Sequence, residues 1–326
     1  MIQKNPLLCY LSAASHSGST LLAMLLNSHP RIASVGELKL SNLGDLSGYR
    51  CSCRELISDC RFWQRLIKEM SVEGESFQLN RAGTHLRDID SAYVRRLLKP
   101  LHRGRFLELV RDTALALSPT WHRALPRWKD RNRRLVRAVA QASGCDVVVD
   151  SSKIGIRLKY LLQIPDQPLR VIRLVRDGRA VALTYMNAAQ YADATTPELR
   201  GGGFGANRHR DLTMGQAAKE WRRSNEEAAS IQSLLNPDQY IQIRYEDLCQ
   251  DVGGTLSRIF AFLSLEDSDQ HRRFKDVEHH VVGNGMRLDS SSSVILDDRW
   301  RSVLNDRQLA EFERVAGDLN RSLGYT

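Results

Sequence analysis

The sequence has no apolar segment long enough to form a membrane-spanning helix. The nearest candidate is 5–30, which contains no Asp, Glu, Lys or Arg, but a polar run, SAASHSGST at 12–20, interrupts it. Only Lys4 precedes this segment, so the basic start of a secretory signal peptide is also weak. We therefore expect a soluble protein in a reducing, cytoplasmic compartment.

Cysteine is sparse, and no internal repeat is visible. Cys51, Cys53 and Cys60 form the one dense group among six cysteines. Three thiols with C-x-C spacing could bind a metal or form a disulfide. No fourth ligand lies nearby in the sequence, and the compartment is expected to be reducing, so we do not expect a metal site.

The charge is unbalanced towards the basic side, with a formal net charge of +9 at pH 7 and a pI near 9.4. This favours anionic partners, which include nucleic acids, membrane surfaces, nucleotide cofactors and acidic polysaccharides. The most basic stretch, 121–137, contains two tryptophans. Its spacing predicts a helix with a solvated basic face, and no recognised nucleic-acid module surrounds it. We expect no nucleic-acid partner.

Residues 7–30 combine a buried strand at 7–11, a polar loop at 12–17 and a helix beginning near Gly18. The first N–H groups of such a helix lie at the positive end of its dipole and favour an anion. In the P-loop pattern G-x-x-x-x-G-K-S/T, Ser19 stands in place of the lysine and Thr20 at the final hydroxyl position. The loop is therefore poorly equipped for a triphosphate, and a simple Ser-rich turn remains an alternative.

Two further strands are predicted at 146–150 and 169–175, each followed by a polar turn and a helix. This βαβαβ pattern predicts an α/β fold with a central parallel sheet flanked by helices. Ligands of such sheets bind beyond the carboxyl ends of the strands, which should bring Lys153 and Arg176 to the loop at 17–20. We expect a single domain at 1–326, with a helical insertion at about 41–144 and a mobile loop, either a lid or a plain excursion, at about 191–211.

Several segments in this order resemble the sulfotransferases that use 3′-phosphoadenosine 5′-phosphosulfate (PAPS), especially bacterial members related to tyrosylprotein and carbohydrate sulfotransferases. They are SHSGSTLL, VGEL, CSCRELISDCRFW, DSSK, RLVRDGRAVALTYM, IRYEDL and HHVVGNGMR with ILDDRW. The resemblance implies a P-loop-like three-layer fold and a catalytic base at Glu37. It also implies that Lys153 and His16 stabilise charge on the transferred group. His16 departs from the Lys or Arg usual at that position.

The resemblance also implies the cofactor contacts. The 5′-phosphosulfate would be bound by the loop residues Ser15, His16, Ser17, Gly18, Ser19 and Thr20. Arg176 and Thr184 would bind the 3′-phosphate, and Tyr245 and Arg287 would contact the nucleotide.

The predicted function is transfer of a sulfuryl group from PAPS to a hydroxyl or amine, without a metal. The acceptor would be a saccharide or small metabolite, possibly acidic, with specificity in 41–144 and 191–211. The alternatives are a P-loop nucleotide kinase or other NTPase, and a non-catalytic binder of polyanions. The sequence leaves the acceptor and the oligomeric state open.

Overall fold

The computed structural model describes residues 5–40, 43, 46–71, 77–99, 104–191, 211–277, 279–282, 285–288 and 293–326. Within them, five strands form one sheet in the order β2-β3-β1-β4-β5. The strands are β1 (Leu7–Ala13), β2 (Ile32–Ser34), β3 (Val147–Lys153), β4 (Leu169–Val175) and β5 (Tyr240–Arg244). Every neighbouring pair is parallel. The predicted α/β fold with a parallel sheet is confirmed.

The longer helices of the described residues flank this sheet and form the insertion. They are α1 (Ser19–Leu26), α2 (Arg61–Met70), α3 (Ala92–Leu97), α4 (Arg105–Ala116), α5 (Pro119–Ser143), α6 (Gly155–Leu161), α7 (Gly178–Met186), α8 (Ala188–Tyr191), α9 (Met214–Gln232), α10 (Tyr245–Gln250), α11 (Val252–Phe262), α12 (Trp300–Val303) and α13 (Asp306–Ser322). Short 3₁₀ turns occupy Leu79–Arg81, Leu86–Asp88, Pro237–Gln239, Asp269–Arg273 and Gly285–Leu288. No helix among the described residues is long and apolar enough to cross a membrane.

Strand β1 is at the centre of the sheet, and its alternating side chains divide the core into two layers. Leu8 and Tyr10 pack on one face with side chains of α2 and α5. Cys9 and Leu11 pack on the other face with side chains of α1 and α11. This period of two follows from the pleat of a strand that is buried on both sides. The helical insertion and the sheet thus share one continuous apolar cluster.

The observed bounds differ from the expected ones mainly at the polar ends of strands. The strands predicted at 7–11 and 146–150 continue to Ala13 and Lys153. Ser12 and Lys153 pair with each other across β1 and β3, so neighbouring strands hold these polar residues in the sheet. The helix after β4 ends at Asn187, where φ is −152° and the backbone is no longer helical, and a short second helix follows. Most of the expected mobile loop, 192–210, lies outside the described residues.

The basic stretch 121–137 lies within α5 and is amphipathic, as predicted. Trp121, Trp128 and Leu135 are buried, whereas Arg127 and Arg137 are exposed. The helix begins after Ser118, whose hydroxyl accepts a hydrogen bond from the Trp121 N–H at 3.3 Å. The tryptophans thus belong to the core, and the arginines form a solvated face.

A buried ion pair joins the end of β3 to α6 and the insertion. The Arg157 guanidinium lies 3.0 Å from the Asp150 carboxylate, and the two side chains are 2% and 0% exposed. Arg157 also donates to the Thr84 carbonyl at 2.6 Å and to the Asn132 side chain at 2.7 Å. Asp150 accepts from the Leu38 N–H at 3.1 Å. These hydrogen bonds satisfy the two charges and fix the loop that carries residue 37.

We predict that Arg157→Met destabilises the protein by about 3–5 kcal/mol, because it leaves the Asp150 carboxylate buried without its cation. Urea unfolding at pH 7 measures this loss. Arg31→Met is the matched control, since the Arg31–Asp146 pair has side chains 53% and 63% exposed. This surface pair is expected to contribute only about 0–1 kcal/mol. Equal, small losses in both variants would contradict the structural role of the buried pair.

Candidate active site

The loop between β1 and α1 has the backbone of an anion site. Gly18, at φ +84°, is the N-cap residue of α1, and no side chain caps the helix there. The Ser17 hydroxyl is buried and makes no hydrogen bond within the part of the chain that the structure describes. Together, the helix N-terminus and this hydroxyl offer hydrogen-bond donors to an anion. Ser19 is buried, and Thr20 is half-buried.

Glycine is required at position 18 because an aromatic ring lies against it. A Cβ there would lie 2.4 Å from Cδ2 of Tyr245. The Arg176 guanidinium lies 4.3 Å from the centroid of the same ring. Arg176 also donates to the His16 carbonyl at 2.8 Å. Tyr245 and Arg176 therefore both contact the loop. The sequence predicted this for Arg176 from its place after a strand, whereas it predicted Tyr245 only as a nucleotide contact.

His16 and Ser15 both contact Tyr185 of α7. The His16 imidazole packs edge-on against the Tyr185 ring, with centroids 5.0 Å apart, and its own backbone has φ +63°. Ser15 is hydrogen-bonded to Tyr185 through its side chain. A left-handed conformation at a residue with a side chain is costly and occurs where the surrounding structure enforces it.

Arg176 is held from its other side by Asp297, which sequence reasoning did not identify. Its Nη2 donates to the Asp297 carboxylate at 2.9 Å and to the Asp297 carbonyl at 3.1 Å. Burial opposes ionisation of Asp297, but Arg299 and Arg176 outweigh it and lower the pKa of this carboxyl to about 2. Asp297 therefore places a full negative charge beside Arg176.

Thr184 lies deep in the same region, on α7. Its hydroxyl donates to the Ala180 carbonyl at 3.2 Å and to the Tyr191 carbonyl at 3.4 Å. Arg299 also donates to the Tyr191 carbonyl, at 3.2 Å, and its guanidinium contacts Asp297. A chain of hydrogen bonds thus connects Thr184 to Arg176.

Glu37 lies between two lysines at the carboxyl edge of the sheet. Its Oε1 is 2.7 Å from Nζ of Lys153, and its Oε2 is 2.8 Å from Nζ of Lys39. Burial opposes ionisation of Glu37, but the two ammonium groups outweigh it and lower the pKa to about 2. The sequence predicted Glu37 and Lys153, but it missed Lys39, which looked like an ordinary loop charge.

The backbone around Glu37 is fixed by contacts on both sides. Gly36, at φ +85°, forms a parallel bridge with Val282, and a Cβ on Gly36 would lie 2.0 Å from the Val282 carbonyl oxygen. The Gly36 carbonyl accepts from the Ser151 N–H at 3.0 Å. Lys153 has φ +67° at the end of β3. The carboxylate and its lysine partner are therefore both held by constrained backbone.

The insertion reaches this cluster through Thr84 and His85. The Thr84 hydroxyl donates to the Lys39 carbonyl at 2.9 Å. Burial, Lys39 and Arg157 lower the pKa of His85 to about 3, so this imidazole is neutral at pH 7. Sequence reasoning assigned specificity to the whole of 41–144, and no local signal distinguished these two residues.

Arg287 is buried in the turn Gly285–Leu288, which packs against α1. It donates to the Arg50 carbonyl at 2.9 Å, and its guanidinium lies 4.9 Å from the Tyr49 ring centroid. Burial lowers the pKa of this guanidinium. Arg287 thus contacts residues 49–50 of the insertion.

A cavity of about 1020 Å³ lies at the opposite, amino-terminal edge of the strands. It is lined by residues that include Asn5, Arg31, Arg137 and Asp146. None of the predicted site residues lines it. Because parallel sheets bind ligands at the carboxyl edge, we place the candidate site at the loop and Glu37 instead.

Parts of this chain are similar to known sulfotransferases. Residues 158–269 match a family model described as the sulfotransferase family. The omega-hydroxy-beta-dihydromenaquinone-9 sulfotransferase of Mycobacterium tuberculosis is 24% identical over 203 residues, which are 59% of this chain and 50% of that protein. Human carbohydrate sulfotransferase 2 is 26% identical over 261 residues, which are 70% of this chain and 46% of that protein. The chain spans about half the length of the curated relatives it matches.

Two solved structures share the fold. The sulfotransferase domain of the Synechococcus PCC 7002 olefin synthase has a TM-score of 0.51 and 20% identity, covering 100% of this chain and 98% of that one. The sulfotransferase domain of the curacin biosynthetic pathway has a TM-score of 0.50 and 17% identity, covering 99% of each chain. These likenesses establish the architecture of the P-loop-like α/β class.

We predict that Glu37 remains ionised down to about pH 3, and that Lys153→Met raises its pKa towards the ordinary value because the carboxylate loses a cation. Glutamate labelled with ¹³C at the side-chain carboxyl measures this by NMR titration, with Glu37→Gln for assignment. Lys68→Met, on the exposed face of α2, is the control and should leave the titration unchanged. A midpoint above pH 4 in the unmodified protein would contradict the lysine clamp.

The low pKa of Glu37 also determines how this residue makes the stability of the fold depend on pH. The folded-state pKa of Glu37, about 2, lies below its ordinary value of 4.5. Ionised Glu37 therefore stabilises the fold above about pH 4.5, and this contribution is lost as the pH falls from there through about 2.

Proposed function

We propose that this chain, which belongs to the sulfotransferase family, transfers the sulfuryl group of PAPS to a hydroxyl or amine of an acceptor. One observation supports the proposal most strongly: Glu37 and Lys153 are in contact at the same edge of the sheet as the loop between β1 and α1. That loop resembles a P-loop but has Ser19 in place of the lysine. A base, a mobile cation and a phosphate cradle are the groups that such a transfer requires.

The residues of the loop fit the donor. The helix N-terminus and the side chains of Ser15, His16, Ser17, Ser19 and Thr20 would bind its 5′-phosphosulfate, with Gly18 allowing close approach. The Ser17 hydroxyl supports this assignment, because it is buried and its hydrogen-bonding capacity is unused within the described residues. PAPS supplies, when bound, the activated sulfuryl group.

Arg176 and Thr184 would bind the 3′-phosphate, and Tyr245 and Arg287 would contact the nucleotide. In the structure, Asp297 accepts the Arg176 hydrogen bond that a phosphate oxygen would accept. Binding would then require the Asp297 carboxylate to move away, since two anions at one guanidinium repel each other.

Glu37 would take the proton from the acceptor hydroxyl as the acceptor oxygen attacks sulfur and the bond from sulfur to the 5′-phosphate oxygen breaks. Its low pKa makes it a weak base while both lysines hold it. We propose that Lys153, and His16 when protonated, turn to the negative charge on the transferred group. The departure of Lys153 would raise the pKa of Glu37 at the step where it accepts the proton.

The acceptor is proposed to be a neutral or acidic saccharide or small molecule, bound by the insertion at about 41–144. The positions of Thr84 and His85 beside Lys39 support this. The continuous core that joins the insertion to the sheet supports the proposal of a single domain. None of the six cysteines, all of them described, forms a disulfide, which supports a reducing, cytoplasmic location.

We predict that Glu37→Gln lowers kcat about 10²–10⁴-fold, the usual contribution of a general base, with little change in cofactor affinity. Steady-state assays with labelled PAPS and an acceptor found by screening measure this. Glu69→Gln, exposed on α2, is the control and should retain full turnover. Near-full turnover in Glu37→Gln would remove Glu37 from its role as base.

Cofactor binding is predicted to depend on Ser17 but not on magnesium. Calorimetry with 3′-phosphoadenosine 5′-phosphate should show binding without magnesium, and ATP with magnesium should not bind. Ser17→Ala should weaken binding about 10–150-fold, the loss of one hydrogen bond to a charged group, without lowering stability. Ser143→Ala, at the end of α5, is the control. Binding of neither nucleotide by the unmodified protein would contradict the proposed function.

A further inference from the structure

A tight hairpin in the insertion presents two of the clustered cysteines. Arg50 and Leu56 form an antiparallel bridge, and the Cys51 N–H donates to the Glu55 carbonyl at 2.9 Å. Arg54, at φ +73°, makes the reversal. Cys51 and Cys53 lie in this hairpin, and Cys60 is the N-cap residue of α2.

The fourth member of the cluster is His280, from a segment near the other end of the chain. The sequence showed no fourth ligand, because His280 follows Cys60 by 220 positions. Sγ of Cys51, Cys53 and Cys60 and Nδ1 or Nε2 of His280 all lie within 4.8 Å of one another. Two of the four residues are buried and two are half-buried.

The distances match those of a tetrahedral zinc site. Cys53 Sγ and Cys60 Sγ are 3.6 Å apart, and Nδ1 of His280 is 3.3 Å from Cys60 Sγ and 3.7 Å from Cys51 Sγ. With Zn–S of about 2.3 Å and Zn–N of about 2.0–2.1 Å, the edges of a zinc tetrahedron are about 3.5–3.8 Å. The ligand atoms therefore already have nearly the spacing that the ion requires.

We propose that Cys51, Cys53, Cys60 and His280 bind one Zn²⁺ in a closed structural site. Three thiolates and one imidazole form a Cys₃His set, and zinc accepts this set in four-coordinate geometry. Binding releases the three thiol protons to solvent, and no electron transfer is involved. Because all four positions are filled by protein, the ion takes no part in sulfuryl transfer.

The surroundings of the cluster orient its ligands. The Phe62 ring stacks on the His280 imidazole, with centroids 4.5 Å apart and planes 6° from parallel. The Ser52 hydroxyl donates to the His279 carbonyl at 2.6 Å and accepts from the Val281 N–H at 2.8 Å, which fixes the backbone on both sides of His280. Such contacts around metal ligands set their orientation.

The zinc site would connect three segments that lie near Glu37 in the fold. It joins the hairpin and α2 to 279–282, and Val282 pairs with Gly36, next to Glu37. Zinc would therefore hold the segment on which Gly36 rests. This inference does not depend on the proposed reaction.

The test begins with metal content. Full-length protein purified with reductant and without chelator is analysed by elemental mass spectrometry, and we expect one zinc per chain. Cys60→Ser and His280→Gln should reduce this to a trace. Cys145→Ser and Cys249→Ser are the matched controls and should retain one zinc per chain. Metal loss in all four variants alike would overturn the assignment.

Cobalt gives a second readout that does not depend on the variants folding. Protein produced with Co²⁺ should show thiolate-to-cobalt charge transfer in the near ultraviolet and the visible bands of tetrahedral cobalt. Wild-type protein with only traces of zinc and without these bands would overturn the proposal. So would a Cys53–Cys60 disulfide in freshly isolated protein, seen as a mass lower by two hydrogens. Neither measurement uses turnover, so the outcome is independent of the proposed function.

Discussion

The candidate site depends most on the contacts of the buried Asp150 carboxylate. It lies in the middle of β3, and it is 0% exposed. It accepts from the Leu38 N–H at 3.1 Å and from the Ser152 N–H at 2.9 Å, and it pairs with Arg157. One buried charge thus fixes the loop after Glu37, the turn before Lys153 and the insertion that Arg157 reaches. A buried pair of this kind contributes mainly by specifying one arrangement of its neighbours, because desolvation offsets much of its attraction.

The charged side chains of the candidate site form ion pairs with one another. Glu37 lies between Lys39 and Lys153, and Arg176 is paired with Asp297. Each carboxylate keeps a cation in place at the sheet edge, and Glu37 balances only one of the two lysine charges beside it. An incoming polyanion would compete with Glu37 and Asp297 for these cations. Affinity would then be lower than the number of cations suggests, because those ion pairs must first be broken.

The sequence predicted those features of the fold and the site that depend on residues close together in the chain. The strand Leu169–Val175 was predicted at its observed bounds, because a mostly apolar run between polar turns is typical of a buried parallel strand. The family resemblance rested on segments of this kind and is confirmed. The assignments of individual site residues, from Ser15 to Arg287, stay predictions, although the structure brings Glu37 and Lys153 into contact.

What the sequence could not provide is contact between distant segments. Asp297 meets Arg176 across 121 positions, and His280 meets Cys60 across 220. Lys39 and His85 carry no pattern that separates them from solvated residues. Their environment is created by folding, so neither periodicity nor spacing could identify them.

The bridge between Gly36 and Val282 has a consequence for how the protein becomes active. It closes a loop that contains most of the chain, and contacts of such long sequence separation form late because the entropy of closing the loop must be overcome first. During synthesis the β1 strand and its phosphate loop emerge early, but residue 36 lacks its neighbour until residue 282 has left the ribosome. The candidate base would therefore reach its final position only after residue 282 has been synthesised and has folded against it.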